Sequence, residues 1–237
     1  AAAQSGATVT RAPEATEPLE QGLQLMSEGN LKEALAAFNQ AIAADGSFPE
    51  AYIAKADVLK ALQDYQSAAI VYSRALELGS SLSTAAIAAA YNGRGECFME
   101  LSPPDYNMAT NDFTNALDLD RSNAQALSNL GHIYVNFAQD PQKGLDRLDE
   151  ALALNAQDAR GFRDRGMAHA QLREFDEAVA DVKKAVEINA AAPDYEDFST
   201  LATIYLFQDK FAEAAGALEQ AITAYKPDLI VVASGLD

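Results

Sequence analysis

His132 and His169 are the two imidazoles of this chain, some 37 residues apart. Metal sites need clustered ligands, and two histidines at this separation do not point to a shared ion. No Ser-His-Asp or Cys-His arrangement carries a supporting local signature. No Gly-rich loop follows a strand pattern, so a phosphate cradle is not expected. The acidic groups Asp149/Glu150 and Glu174/Asp176/Glu177 read, on helices, as solvated faces rather than acid/base pairs. Cys97 is the only cysteine, so no internal disulfide can form. It sits in a mostly apolar helical stretch, where a buried inert thiol is expected; a nucleophile or redox sensor would need a setting that lowers its pKa. These residue types are scattered, so neither an enzyme nor a bound metal or cofactor is expected.

The bulk composition narrows the partners. The chain has 237 residues, 49% of them hydrophobic, a proportion typical of an ordered protein. It carries 17 basic against 35 acidic residues, a net charge of −18. Such a chain repels phosphate backbones and anionic membrane surfaces, so no nucleic-acid partner is expected. No apolar run approaches the roughly 20 residues of a membrane span. The start, Ala1-Ala2-Ala3-Gln4, lacks Met, and small residues of this kind flank signal-peptidase cuts. Export to a periplasmic or other processed soluble compartment is one reading; a fragment beginning mid-protein, and then a cytoplasmic location, is the other.

What must position any functional side chain is a repeat. At a spacing of about 34 residues the chain places a small residue and then Ala-x3-(aromatic or aliphatic)-x2-Ala. The small residues are Gly22, Ala56, Gly95, Gly131, Gly166 and Ala202. The second motif runs Ala34/Phe38/Ala41, Ala68/Tyr72/Ala75, Ala109/Phe113/Ala116, Leu148/Ala151, Ala178/Val182/Ala185 and Ala214/Leu218/Ala221. Apolar residues recur at i, i+3, i+4 and i+7, the helical period. Each unit therefore predicts two short helices and a turn. Six units fall at about 15–48, 49–82, 83–123, 124–158, 159–192 and 193–228. Residues 1–16 are rich in Ala, Thr, Ser, Pro and Glu and predict an arm or linker. Residues 229–237, opening Leu229-Ile230-Val231-Val232, predict an extended tail that covers the last helix pair or pairs with another copy; a longer protein of which this is a piece explains the strip equally well.

This pattern resembles the tetratricopeptide repeat family over roughly 210 residues. The resemblance implies an all-α fold, an α-solenoid of about six helix-turn-helix repeats wound into a right-handed superhelix with first helices lining its concave side. It implies a groove for an extended peptide or a partner helix. Several positions depart from the family. The early aromatic appears as Tyr52, Tyr91, Phe162 and Phe198 but is missing from two units, and Gly144 stands where Ala is usual. Two turns within units are enlarged, by two residues around Ser102-Pro103-Pro104-Asp105 and by one around Ala138-Gln139-Asp140-Pro141. Either these are tolerated loop drift or they form a contact ridge. Ser80, Ser81, Ser83 and Thr84 are good N-caps, which predicts a lengthened first helix in the third unit.

Projecting the groove from unit to unit picks out Asn92, Asn129, His132, Asn136, Arg160 and Arg163 as partner-binding candidates. The asparagines offer donor and acceptor to an extended backbone, and the arginines offer forked donors to a carboxylate, so an acidic peptide end would be welcome there. His169 replaces a packing aromatic. The family's dicarboxylate clamp for chaperone tails is matched by Asn129 and Arg160 only, since Asn92, Glu96 and Asp164 stand at its other positions. Arg94 and Arg165 precede the small residue and should lay their stems along the helix pair. The expected role is a protein-interaction scaffold with a protein or peptide partner. The alternative is a structural subunit that self-associates or is built into a larger complex.

Overall fold

The computed structural model describes residues 11–225, and over that span it contains twelve α-helices and no strand. They form six hairpins: α1 (Pro13–Ser27) with α2 (Leu31–Ala44), α3 (Pro49–Ala61) with α4 (Tyr65–Glu77), α5 (Thr84–Glu100) with α6 (Tyr106–Leu119), α7 (Ala124–Asn136) with α8 (Pro141–Leu154), α9 (Ala159–Gln171) with α10 (Phe175–Ile188), and α11 (Tyr195–Phe207) with α12 (Phe211–Tyr225). The chain divides after Ala126 into two compact units, the first holding α1–α6 and the second most of α7 and all of α8–α12. The fold is an all-α helical-repeat array. The predicted tail, 229–237, lies outside the described residues.

Local chemistry sets the hairpin turns. In four of them the linking residues Gly29, Gln63, Arg173 and Asp209 have φ between 58° and 80°. Each lets the next amide reach back five residues, as Asn30 N–H does to the Leu25 carbonyl and Glu174 N–H to the His169 carbonyl, both at 2.9 Å. This closure satisfies carbonyls the helix end would otherwise leave open. Only one of the four is glycine, so the other three carry a left-handed backbone at a cost of about 1–2 kcal/mol each. The two enlarged turns, 101–105 and 137–140, end in Asp105 and Asp140, whose carboxylates accept from Met108 N–H (2.9 Å) and Lys143 N–H (3.2 Å). Ser83 caps α5 by accepting from Ala86 N–H at 3.2 Å, and α5 runs to 17 residues.

Part of the predicted arm, residues 1–16, is helical; residues 1–10 lie outside the described residues. Helix α1 begins at Pro13, not after Thr16, with the proline in the first turn where its missing N–H costs nothing. Arg11 anchors this start. Its guanidinium lies 4.2 Å from the Phe48 ring centroid, pairs with Asp45 and donates to the Ser47 carbonyl at 3.2 Å. Ala15, buried in a cluster with Ala41, Phe48 and Ala51, packs the same segment into the core.

The core is the repeated second motif. Phe38, Tyr72 and Phe113 are buried in the first unit, and Leu148 and Val182 in the second. Close helix approach explains the small residues, and also the departure at Gly144. A Cβ at Gly131 would stand 2.5 Å from Leu148 Cγ, and one at Gly144 2.4 Å from Val135 Cγ2. The hairpin α7–α8 is therefore packed through glycine from both sides. Leu218, the counterpart of these core residues in α12, is exposed.

Candidate partner-binding site

In the first unit, α3 and α5 present Asp57, Lys60, Asn92 and Glu96 together. Lys60 Nζ donates to Glu96 Oε2 at 2.6 Å, and Asn92 Nδ2 to Glu96 Oε1 at 2.8 Å. Burial opposes the charge on Lys60, but Glu96 beside it outweighs that and holds the ammonium above its usual pKa. Tyr72 donates its hydroxyl to Asp57, whose pKa burial nevertheless raises. Asn92 Oδ1 is buried with no hydrogen-bond partner.

In the second unit the polar face joins α7, α9 and the start of α11. His132 Nδ1 lies 2.9 Å from Asp164 Oδ2, and Asn136 Nδ2 donates to Asp164 Oδ1 at 3.2 Å. Arg160 Nη2 donates to Asn129 Oδ1 at 2.8 Å. Arg160 Nε is buried without a hydrogen-bond partner, and its nearest counter-charge is Asp164 at 3.6 Å. Asp164 is buried, which would raise its pKa, but the His132 hydrogen bond and the charges of His132, Arg160 and Arg163 bring it below the ordinary carboxylate value.

The candidates therefore separate. Asn129 is buried and serves Arg160 rather than solvent. Arg163 is bound by three carboxylates, Asp194 and Glu196 at 2.7 Å and Asp197 at 2.9 Å. Its forked donors are consumed, which corrects the expectation of a ready carboxylate clamp. Two guanidiniums here face Asp164, Asp194, Glu196 and Asp197. Asn136, half-buried His132 and Arg160 are the accessible members.

The carboxylates around Arg163 were missed in the sequence. Their signal was register, because Asp194 and Asp197 follow Arg163 by about one repeat, as Asp164 follows His132 and Glu96 follows Lys60. Elsewhere the chemistry is sparse. His169 pairs with Glu174 at 2.7 Å, away from His132's partners. Among the described residues no group of three potential metal ligands assembles, and no helix is long and apolar enough to cross a membrane. Cys97 is fully buried, and burial pushes its thiol up to about 12.

The fold agrees with comparison to known proteins. YrrB, a TPR protein with an unusual peptide-binding site, is similar at 27% identity and a TM-score of 0.60, covering 84% of this chain and 98% of that one. A chain of the APC/C hetero-tetramer Cut9–Hcn1 shares the fold at 21% identity and TM-score 0.74, over 94% of this chain and 42% of that chain. PilF of Pseudomonas aeruginosa shares it at 18% identity and TM-score 0.70, over 91% and 93%. In sequence, the DnaJ homolog subfamily C member 7 homolog of Schizosaccharomyces pombe is 31% identical over 93 residues, 37% of this chain. The chain spans only 19% of that protein's length. The tetratricopeptide repeat model matches residues 19–83 and 137–196, more than half of the chain, which therefore belongs to the tetratricopeptide repeat family.

Proposed function

We propose that this chain is a non-enzymatic scaffold that holds a peptide or partner protein on the faces of its first helices. The observation that carries the reading is a pair of buried polar atoms without a hydrogen-bond partner, Asn92 Oδ1 in the first unit and Arg160 Nε in the second. Neighbouring groups on the same faces are saturated by pairs one repeat apart. A buried acceptor or donor without a partner costs about 1–3 kcal/mol, and a bound backbone amide or carbonyl would remove that cost. Stacked helices hold these atoms in place beforehand, so a ligand does not carry the expense of ordering them. The likeness to YrrB supports a peptide as ligand. Because carboxylates outnumber guanidiniums on the second-unit face, the bound segment is neutral or basic there.

Cross-linking mass spectrometry in native lysate tests this. Partner cross-links should concentrate on α5, α7 and α9 and be lost in an Arg160→Ala/Asn136→Ala variant that keeps its helical circular dichroism. Cross-links on the second helices that ignore this variant would overturn the reading. Self-assembly is the second reading, favoured by the exposed Leu218, Ile222 and Tyr225 on the last hairpin. Light scattering across a dilution series separates the two.

A further inference from the structure

At the turn edge of the second unit, between the α9–α10 turn and the end of α11, Ala170, Gln171, Arg173, Phe175 and Phe207 line a notch of about 280 Å³. Packing sets its apolar walls. Phe175 rests on the core cluster of Ala170, Ala178 and Val182, and Phe207, on the hairpin that follows, is 51% exposed. The turn and a neighbouring hairpin set its polar groups. Gln171 Nε2 donates to the Val135 carbonyl at 3.1 Å, which fixes the amide and leaves Oε1 as an acceptor without a partner among the described residues. Arg173 sits in the turn at φ 66°, and its backbone N–H donates to the Ala170 carbonyl at 3.1 Å. The other arginines of the second unit, Arg147, Arg160, Arg163 and Arg165, each have a carboxylate within 3.6 Å. The Arg173 guanidinium has none among the described residues, and the carboxylate next in sequence, Glu174, is taken by His169 at 2.7 Å.

We propose that this notch captures the C-terminal residue of a partner protein, one with an apolar side chain. Its three parts answer three groups that a residue carries on one Cα only at a chain end. The apolar side chain lies between Phe175 and Phe207, the backbone N–H donates to Gln171 Oε1, and the free carboxylate accepts from the Arg173 fork. An acidic residue inside a partner segment is a poorer match. In an extended chain neighbouring side chains point to opposite faces, so its carboxylate and an apolar group on the same face would stand two residues apart. The volume falls below the roughly 300–1,000 Å³ of small-molecule sites and suits one side chain. The chain's net charge of −18 does not forbid the carboxylate, because Arg173 acts at contact while the wider field is screened over about 10 Å at 0.1 M salt. Turn and core hold the groups in place beforehand, so little ordering cost falls on the ligand. The notch uses none of the residues assigned above to the first-helix faces, and all its walls belong to the fifth and sixth hairpins.

The test titrates the isotope-labelled full chain by NMR with an N-acetylated glycine-serine peptide ending in phenylalanine, supplied as the free acid and as the C-terminal amide. The acid should shift the backbone signals of residues 170–175 and 207. The amide should bind about tenfold more weakly, the loss of one charge-assisted hydrogen bond. In Arg173→Gln, checked for unchanged helix content, the acid should fall to the level of the amide. A peptide acid ending in alanine should bind more weakly than the phenylalanine one to the unmodified chain, and that difference should shrink in Phe207→Ala. Arg160→Ala should bind the acid as the unmodified chain does, which separates this notch from the first-helix faces. Equal affinity for acid and amide would overturn the proposal, as would an absence of shifts in the notch at millimolar acid. Persistence of the preference for the acid in Arg173→Gln, or its loss in Arg160→Ala, would move the carboxylate elsewhere and equally refute it.

Discussion

Arg94 grips Asp112 with two parallel hydrogen bonds, Nε to Oδ2 and Nη2 to Oδ1, each 2.7 Å, and Arg165 grips Asp181 in the same way. In both hairpins the arginine precedes the glycine of the first helix, and the aspartate precedes the core residue of the second, Phe113 or Val182. The fork therefore fastens the two helices of one hairpin beside their closest approach. Asp112 is fully buried. Removing one partner of such a pair leaves an uncompensated charge and costs about 3–5 kcal/mol, whereas replacing both with apolar residues can be neutral. Asp112→Ala should lower stability within that range in urea denaturation. Arg94→Met/Asp112→Leu should recover most of the loss. A double variant whose cost equals the sum of the single ones would mean that Arg94 and Asp112 do not act as a pair.

Gly144 yields a prediction against helix propensity. Alanine in a helix interior is ordinarily better than glycine by about 1 kcal/mol, and the family favours alanine here. Its Cβ, however, would stand 2.4 Å from Val135 Cγ2, with backbone atoms of Gly131 and Val135 at 3.3 Å. Valine is stiff about χ1 and cannot swing clear. Gly144→Ala should therefore destabilise by about 1–3 kcal/mol, and Gly144→Ala/Val135→Ala should be less damaged. Thermal unfolding of the three chains decides it.

Gly144 and Arg163 show what the sequence could and could not reveal. The hairpins were legible because the small residue and the Ala-x3-Phe-x2-Ala stripe are constraints on packing, and packing repeats. Even the enlarged turns at 101–105 and 137–140 followed from counting. Polar residues were harder. Asn129 and Arg163 occupy groove register, but register says which face a side chain lies on and not whether a neighbour has already taken it. Helix α3 pairs with α5, α7 with α9, and α9 with α11 and the residue before it, through groups about one repeat apart, and those pairs consume much of what looks like a binding surface. Arg11 escaped notice for a related reason: a single cation anchored to Asp45 and Phe48 leaves no periodic trace.

Asp57 and Asp164 should respond oppositely to pH. Burial raises the pKa of Asp57 above 3.8 despite the Tyr72 hydrogen bond. Its favourable contribution is present below the unfolded value and is lost as pH rises through the higher folded one. Asp57→Asn should therefore gain on the unmodified chain as pH rises toward neutrality, since asparagine still accepts from Tyr72. For Asp164, burial is outweighed by His132, Arg160 and Arg163, and its pKa falls below 3.8. That stability is present above the unfolded value and disappears as pH falls through the folded one. Asp164→Asn should cost most at neutral pH and little in acid. Urea midpoints of the two variants across this range should diverge in opposite directions.

Cys97 should behave as a reporter of opening. It is fully buried beside Ala56, Leu59 and Tyr72, and its thiol is pushed up to about 12. The thiolate is the reacting form, so the folded chain should be inert to a thiol reagent at neutral pH. Labelling should rise only with denaturant, in step with loss of helical circular dichroism. Rapid labelling of the native chain would show that the α3–α5 region opens locally.

Arg160 and Arg163 lie on one helix face three residues apart, yet the structure divides their work. Arg163 meets three carboxylates, one of them the fully buried Asp197, and so joins α9 to the start of α11. Arg163→Leu should lower stability by about 3 kcal/mol or more, because it strands a buried charge. It should leave affinity for a cross-linked partner peptide nearly unchanged once the chain is folded. Arg160 is the more exposed of the two, and its Nε lacks a hydrogen-bond partner. Arg160→Ala should cost less, about 1–3 kcal/mol for the hydrogen bond it takes from buried Asn129, and weaken the peptide by about tenfold, the equivalent of one charge-assisted hydrogen bond. Titration of the peptide against both variants, each checked for its unfolding midpoint, reads the two quantities separately. If Arg163→Leu abolished binding while its midpoint stayed high, the carboxylates would be gripping Arg163 too loosely to keep it from a ligand, and the two arginines would not divide their work in this way.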